Sequence, residues 1–178
     1  MNEGVMIKAW IKAILILQGT ALILVPSLIL WEMSGTAFAA APAGPSVARF
    51  WPGLLAAAVG FSLIGWTLRD FARIGKGTPA PWDPAKALVV RCPYRHVRNP
   101  MITGVIAVLL AESLVIGSWG IAAWLAVFVT ANLIYIANWE EPALMKRFDE
   151  DYRLYKASVR RWIPAVRPWQ GAGGEADG

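Results

Sequence analysis

The sequence predicts an all-α integral membrane protein, a bundle of about four transmembrane helices followed by an amphipathic cytoplasmic helix. Three observations carry this. Hydrophobic residues make up 57% of the 178-residue chain and charged ones 16%, with a mean hydropathy of +0.48, whereas soluble domains hold about 25% charged residues. Four apolar stretches approach the ~20 residues that cross a bilayer. The cations cluster outside those stretches, and the ten tryptophans suit a chain with many hydrocarbon–headgroup boundaries.

The first stretch runs from about Ala9 to Leu30, with Trp10 and Trp31 at its ends. Lys8 and Lys12, the apolar core and the small-residue run "TAFAAAPAG" also resemble a cleavable leader. The apolar part exceeds the usual 7–15 residues of a leader, which favours a retained span. The second stretch covers about Trp51 to Leu68, the third Met101 to Ile116 and the fourth Trp119 to Asn138. Only "GSWG" separates the last two, so they read as a tight helical hairpin whose first arm is short.

Charge sets the orientation. Seven Lys and Arg lie between Arg69 and Arg98 and seven more follow Trp139, while the loop from Trp31 to Phe50 holds only Arg49. Basic loops stay in the cytoplasm, which puts both termini and the 69–100 loop there. The net charge of +5 therefore reflects membrane topology rather than nucleic-acid binding. Cys92 is the lone cysteine and cannot form an internal disulfide. His96 is the lone histidine, and with one thiol and no carboxylate cluster beside it no metal site is expected. "GKG" at 75–77 follows no strand, so no dinucleotide fold is expected from it.

Two polar clusters remain. "CPYRHVRNPMITG", residues 92–104, brackets "YRHVRN" with Pro93 and Pro100. Pro100 suits the first turn of the third span, where a missing N–H costs nothing, and Asn99 suits its N-cap. "NWEEPALMKRFDEDYRLYKASVRRWIP", residues 138–164, follows the fourth span. In it Leu144, Phe148, Tyr152, Tyr155 and Val159 recur at helical spacing, giving one apolar face that lies on the membrane or folds back over the loop. Glu140 and Glu141 either complement a helix start at Pro142 or hold a cationic or hydroxylated ligand. Glu112, inside the third span, reads as a packing residue, and Asn132 in the fourth as an interhelical hydrogen-bonder.

Together these clusters resemble the isoprenylcysteine carboxyl methyltransferase family and the related phospholipid N-methyltransferases. The family pattern G-P-Y-R-x-V-R-[HN]-P-x-Y-x-G meets "CPYRHVRNPMITG". Its E-E-x-x-L-x-x-x-F-x-x-x-Y-x-x-Y pattern, one hairpin later, meets "EEPALMKRFDEDYRLY". "GKGTPAPWDPAKALVV" looks like the loop before them in the bacterial branch. The resemblance implies an S-adenosylmethionine-dependent membrane methyltransferase acting on a lipid or lipophilic acceptor. Its cofactor positions fall on Lys86, Ala87, Leu88, Val89, Tyr94, Asn99, Pro100, Met101, Ile102 and Glu140.

The chain departs from the pattern in places. Asn99 stands where eukaryotic members have His, Ile102 replaces a common Tyr and Cys92 a common Gly. Ile136 aligns with the arginine that contacts the acceptor in eukaryotic members. The first expectation is carboxylate O-methylation of a prenylcysteine-like or other lipid acid. The alternatives are N-methylation of a phospholipid amine, or a non-catalytic scaffold or sensor that keeps the fold. By organisation, residues 1–68 form a two-span segment, 69–164 the methyltransferase-like core and 165–178 a disordered tail.

Overall fold

The computed structural model describes residues 14–36, 39–74, 90 and 93–170. The basic start of the first apolar stretch, most of the loop through "GKG" and the end of the tail lie outside the described residues. Every element among the described residues is helical. Ile14–Leu24 winds in a wide π-helical form and passes into α1, Val25–Met33, with Pro26 in its first turn. After a loop come α2, Phe50–Ile74; a single turn α3, Pro93–His96; and α4, Pro100–Glu112. A π turn, Ser113–Gly117, leads into α5, Trp119–Tyr135. A further π turn, Ile136–Glu140, then joins α5 to α6, Glu141–Ser158.

Three helical segments are long and apolar enough to cross a membrane: Phe50–Asp70, Pro100–Gly117 and Trp119–Ser158, with Gln18–Met33 a shorter apolar helix. The third predicted span is longer than its sequence suggested, because the π turn carries it to 18 residues. At ~1.5 Å per residue that is a length of about 27 Å. The chain is therefore an all-helical integral membrane protein.

Helices α2 and α4 make the most extensive pairing. Glycine permits it: a Cβ on Gly60 would lie 2.7 Å from the Gly104 carbonyl oxygen, and one on Gly104 would lie 2.9 Å from the Gly60 carbonyl oxygen. Lipid supplies no hydrophobic drive between spans, so close backbone approach through small residues supplies packing instead. Ala21, Val105 and Leu109 form the buried centre, with Ile64, Trp124, Leu125 and Phe128 around it. The Trp124 Nε1–H donates to the Ala21 carbonyl at 3.1 Å, tying the first helix to the hairpin.

At the end opposite the polar clusters, Arg49 closes the bundle. Its Nη1 donates to the Leu114 carbonyl at 2.7 Å and its Nη2 to the Ala41 carbonyl. Beside it the Ala43 N–H donates to Val115 O at 2.7 Å. Gly117 turns there with φ +69°, against the guanidinium, where a Cβ has no room.

Two local expectations need correction. Asn99 occupies the N-cap position of α4, but its side chain makes no capping bond; the Thr103 N–H bonds its backbone oxygen at 3.0 Å instead. Asn132 does not bridge helices, because its Nδ2 donates within α5 to Phe128 O at 2.8 Å. Pro142 does lie in the first turn of α6, as expected, although α5, the π turn and α6 follow without a break. A proline ring strikes the carbonyl four residues back in a regular helix, and the widened turn just before Pro142 gives the chain a way round that clash.

Candidate functional site

The two polar clusters meet at one end of the bundle. The apolar face expected on α6 forms: Tyr152, Tyr155 and Val159 are buried, with Val90, Leu144, Phe148 and Trp169 packed on them. This face covers the α3 turn. The Tyr155 hydroxyl donates to the Tyr94 carbonyl at 2.7 Å, and its ring lies 5.5 Å from that of Trp169. The segment after α6 laces the same turn from the other side. There the Arg98 N–H donates to Arg160 O at 2.9 Å, Ala165 N–H to His96 O at 2.8 Å, and Trp169 N–H to Arg95 O at 2.9 Å. His96 Nδ1 lies 2.7 Å from Ala165 O, so that nitrogen is engaged with the backbone.

Glu140 and Glu141 divide their roles. Glu141 is buried and accepts at Oε1 from Arg98 Nη1 and Arg161 Nε, while Oε2 pairs with Lys156 Nζ, each at 2.8 Å. Burial alone would raise its carboxyl; the Lys156 hydrogen bond and the charges of Arg98 and Arg161 outweigh it and hold the group below its ordinary range. Arg98, counted in the sequence as a topological cation, is thus turned inward and neutralised. Glu140 is partly buried and, among the described residues, has no ion pair. Burial, then the neighbouring Glu141, raises its carboxyl above the ordinary value.

Tyr94 stands where these elements converge. Its phenol is pushed above its ordinary value by burial, then by Tyr155, Glu140 and Asp70. Glu140 and Tyr94, 46 positions apart, therefore share one electrostatic neighbourhood. Pro100 is buried at the start of α4, and Asn99, Met101 and Ile102 beside it are partly buried. Lys86, Ala87, Leu88, Val89 and Cys92 lie outside the described residues. Ile136, in the position of the acceptor-contacting arginine, is 1% exposed.

Sequence reasoning missed two groups. Asp70 is buried near the end of α2 and acts on the Tyr94 phenol; Thr67, one turn earlier, is fully buried. Asp70 could have been found, because it is the one acid in Phe50–Ile74 and sits at the end of an apolar run. Among the described residues no group of His, Cys, Asp and Glu is arranged to hold a metal ion.

The arrangement suits a small cationic molecule. Glu140 offers a carboxylate with no ion pair among the described residues, the Tyr94 ring a face for a cation, and Arg95 a guanidinium that spends its Nε on Trp169 O at 2.5 Å. A family model described as phospholipid methyltransferase matches residues 48–151, more than half of the chain. No curated protein and no solved structure gives a significant match.

Proposed function

The chain belongs to the phospholipid methyltransferase family, and from that membership we propose an S-adenosylmethionine-dependent enzyme that methylates the amine of a membrane lipid. The observation that carries the donor half is Glu140, a partly buried carboxylate that has no ion pair among the described residues and acts on the Tyr94 phenol. A buried charge without a partner costs several kcal/mol unless a ligand compensates it. The sulfonium and ammonium of S-adenosylmethionine supply that compensation, and Arg95 can take its carboxylate. When bound, the donor contributes an electrophilic methyl group. Asn99, Pro100, Met101 and Ile102 at the α4 start would form one wall, and Lys86, Ala87, Leu88 and Val89 a further part of the pocket.

Electrostatics favours an amine acceptor over the carboxylate that the resemblance puts first. Among the described residues, the acids that raise the Tyr94 phenol are Glu140 and Asp70, while Arg98 is spent on Glu141. A second anion would be repelled there; an ammonium is attracted. Ile136 points the same way, since it puts no guanidinium at the position that aligns with the acceptor-contacting arginine. The cation-rich end of the molecule would face the cytoplasm, so that the donor enters from water and the acceptor from the bilayer. The unit spanning 69–164 would then be the catalytic core.

Isothermal titration of detergent-purified protein with S-adenosylmethionine tests the donor half. Wild type should bind; Glu140→Gln should lose at least about tenfold in affinity, since one charge-assisted bond is worth ~1.5–3 kcal/mol. Unchanged affinity in a folded variant would refute the site. An absence of heat with the wild type would favour a non-catalytic scaffold.

A further inference from the structure

We propose that the stretch from Arg160 to Arg167 docks on the anionic membrane surface: Ile163 and Val166 lie in the headgroup layer, and Arg160 and Arg167 hold lipid phosphates. The inference goes beyond the methyltransferase reading and stands without it, since it concerns how the polar end of the bundle sits on the bilayer.

Position is the first observation. The Arg98 N–H donates to Arg160 O, the Ala165 N–H to His96 O and the Trp169 N–H to Arg95 O, so three backbone bonds pin the stretch along residues 95–98. Two residues after Arg98, Pro100 opens the membrane-spanning segment Pro100–Gly117. The headgroup layer adds about 5–7 Å on each side of the hydrocarbon. A segment bonded to the residues just before a span is held at that depth.

The second observation is what the pinned stretch presents. Trp162, Ala165 and Trp169 are partly buried, whereas Ile163 is 63% and Val166 97% exposed. Ordering two aliphatic side chains against water gains nothing; ordering them against lipid does. The backbone suits the same setting. An unpaired N–H is costly away from water, but Pro164 and Pro168 carry none, and those of Ala165 and Trp169 are bonded.

Charge selects the occupant. No acid lies between Val159 and Gln170. Arg161 is spent on Glu141, while Arg160 and Arg167 are exposed and have no ion pair among the described residues. Glu150, exposed on α6, is paired with Arg153. Two open guanidiniums beside two exposed aliphatic side chains match an anionic bilayer surface, where phosphate contact and apolar burial add.

The test uses the full chain in nanodiscs of mixed phosphatidylcholine and phosphatidylglycerol. Cys92→Ser removes the native thiol, and Val166→Cys or Ile163→Cys then takes a nitroxide label; two positions guard against one variant that fails to fold. Val127→Cys, exposed within α5, sets the value for hydrocarbon. Labels at 163 and 166 should meet oxygen more often than a water-soluble nickel chelate, at a depth shallower than 127. Native mass spectrometry of wild type should show phosphatidylglycerol retained over phosphatidylcholine. Arg160→Gln with Arg167→Gln should weaken that preference roughly fivefold per arginine, high salt should weaken it too, and S-adenosylmethionine affinity should stay within about twofold of wild type.

Labels at 163 and 166 that meet the nickel chelate more often than oxygen would overturn the proposal, because the stretch would then face water. Labels shielded from both reagents, with spin–spin broadening between copies, would give the surface to a second copy of the chain instead. An unchanged lipid preference in the double glutamine variant would also overturn it. Failure of wild type to bind donor would sink the methyltransferase reading and leave this surface untouched.

Discussion

Neighbouring carboxylates should respond to the same neutral substitution with opposite signs. Glu141→Gln removes the negative centre shared by Arg98, Arg161 and Lys156, whose side chains are 10%, 25% and 42% exposed. Breaking a fully buried pair from one side costs about 3–5 kcal/mol. Lys156 and part of Arg161 recover water here, while Arg98 does not and already carries a buried Nε without a partner. The expected loss is therefore about 2–4 kcal/mol, a fall on the order of 10 °C in melting temperature for a chain of this size.

Glu140→Gln removes a carboxylate that burial already disfavours, so the folded protein should hold its melting temperature or gain a few degrees while losing donor affinity. Tryptophan fluorescence during thermal unfolding in nanodiscs measures both, since Trp169 packs on Tyr155 beside the cluster. The pH dependence follows from the sign of the shift. The Glu141 carboxyl is lowered in the fold, so its contribution is complete above the unfolded value of about 4.3 and disappears as pH falls through the lower folded value. The gap between wild type and Glu141→Gln should therefore close in acid. Equal melting temperatures for wild type and Glu141→Gln at neutral pH, or a larger loss in Glu140→Gln, would refute this division of roles.

Other outcomes follow from single contacts. Gly104→Leu should force α2 from α4, costing at least about 1–3 kcal/mol of overpacking and reducing the yield of folded protein in detergent size-exclusion chromatography. Arg49→Ala should free the far-end loop by removing bonds to Leu114 O and Ala41 O, read as faster amide exchange at Ala43 with donor affinity unchanged. Tyr155→Phe should cost ~1 kcal/mol through the lost bond to Tyr94 O and weaken donor binding severalfold by loosening the turn.

Hydropathy made the helices legible because a bilayer imposes a length on each apolar run. The 3.6-residue rhythm from Leu144 to Val159 likewise foretold the face that covers Tyr94. Side-chain assignments within the site were less accessible. Glu140 and Glu141 are indistinguishable in a linear reading; which of them meets Arg98, Lys156 and Arg161 depends on the rotation of the helix after the π turn. Charge counting took Arg98 as a topological marker, since counting ignores direction. Thr67 and Asp70 went unread because they acquire meaning only when α3, some twenty residues later, is brought against them.

The widened coil at Ile136–Glu140 amounts to a local slackening of one residue in an otherwise continuous rod. Such a joint absorbs length without passing it on, so the greasy half of the rod and the half that grips Tyr94 keep separate phases. Selection could then re-cut the lipid-side surface of α5 while the contacts that α6 makes with the Tyr94 turn below it stayed in alignment.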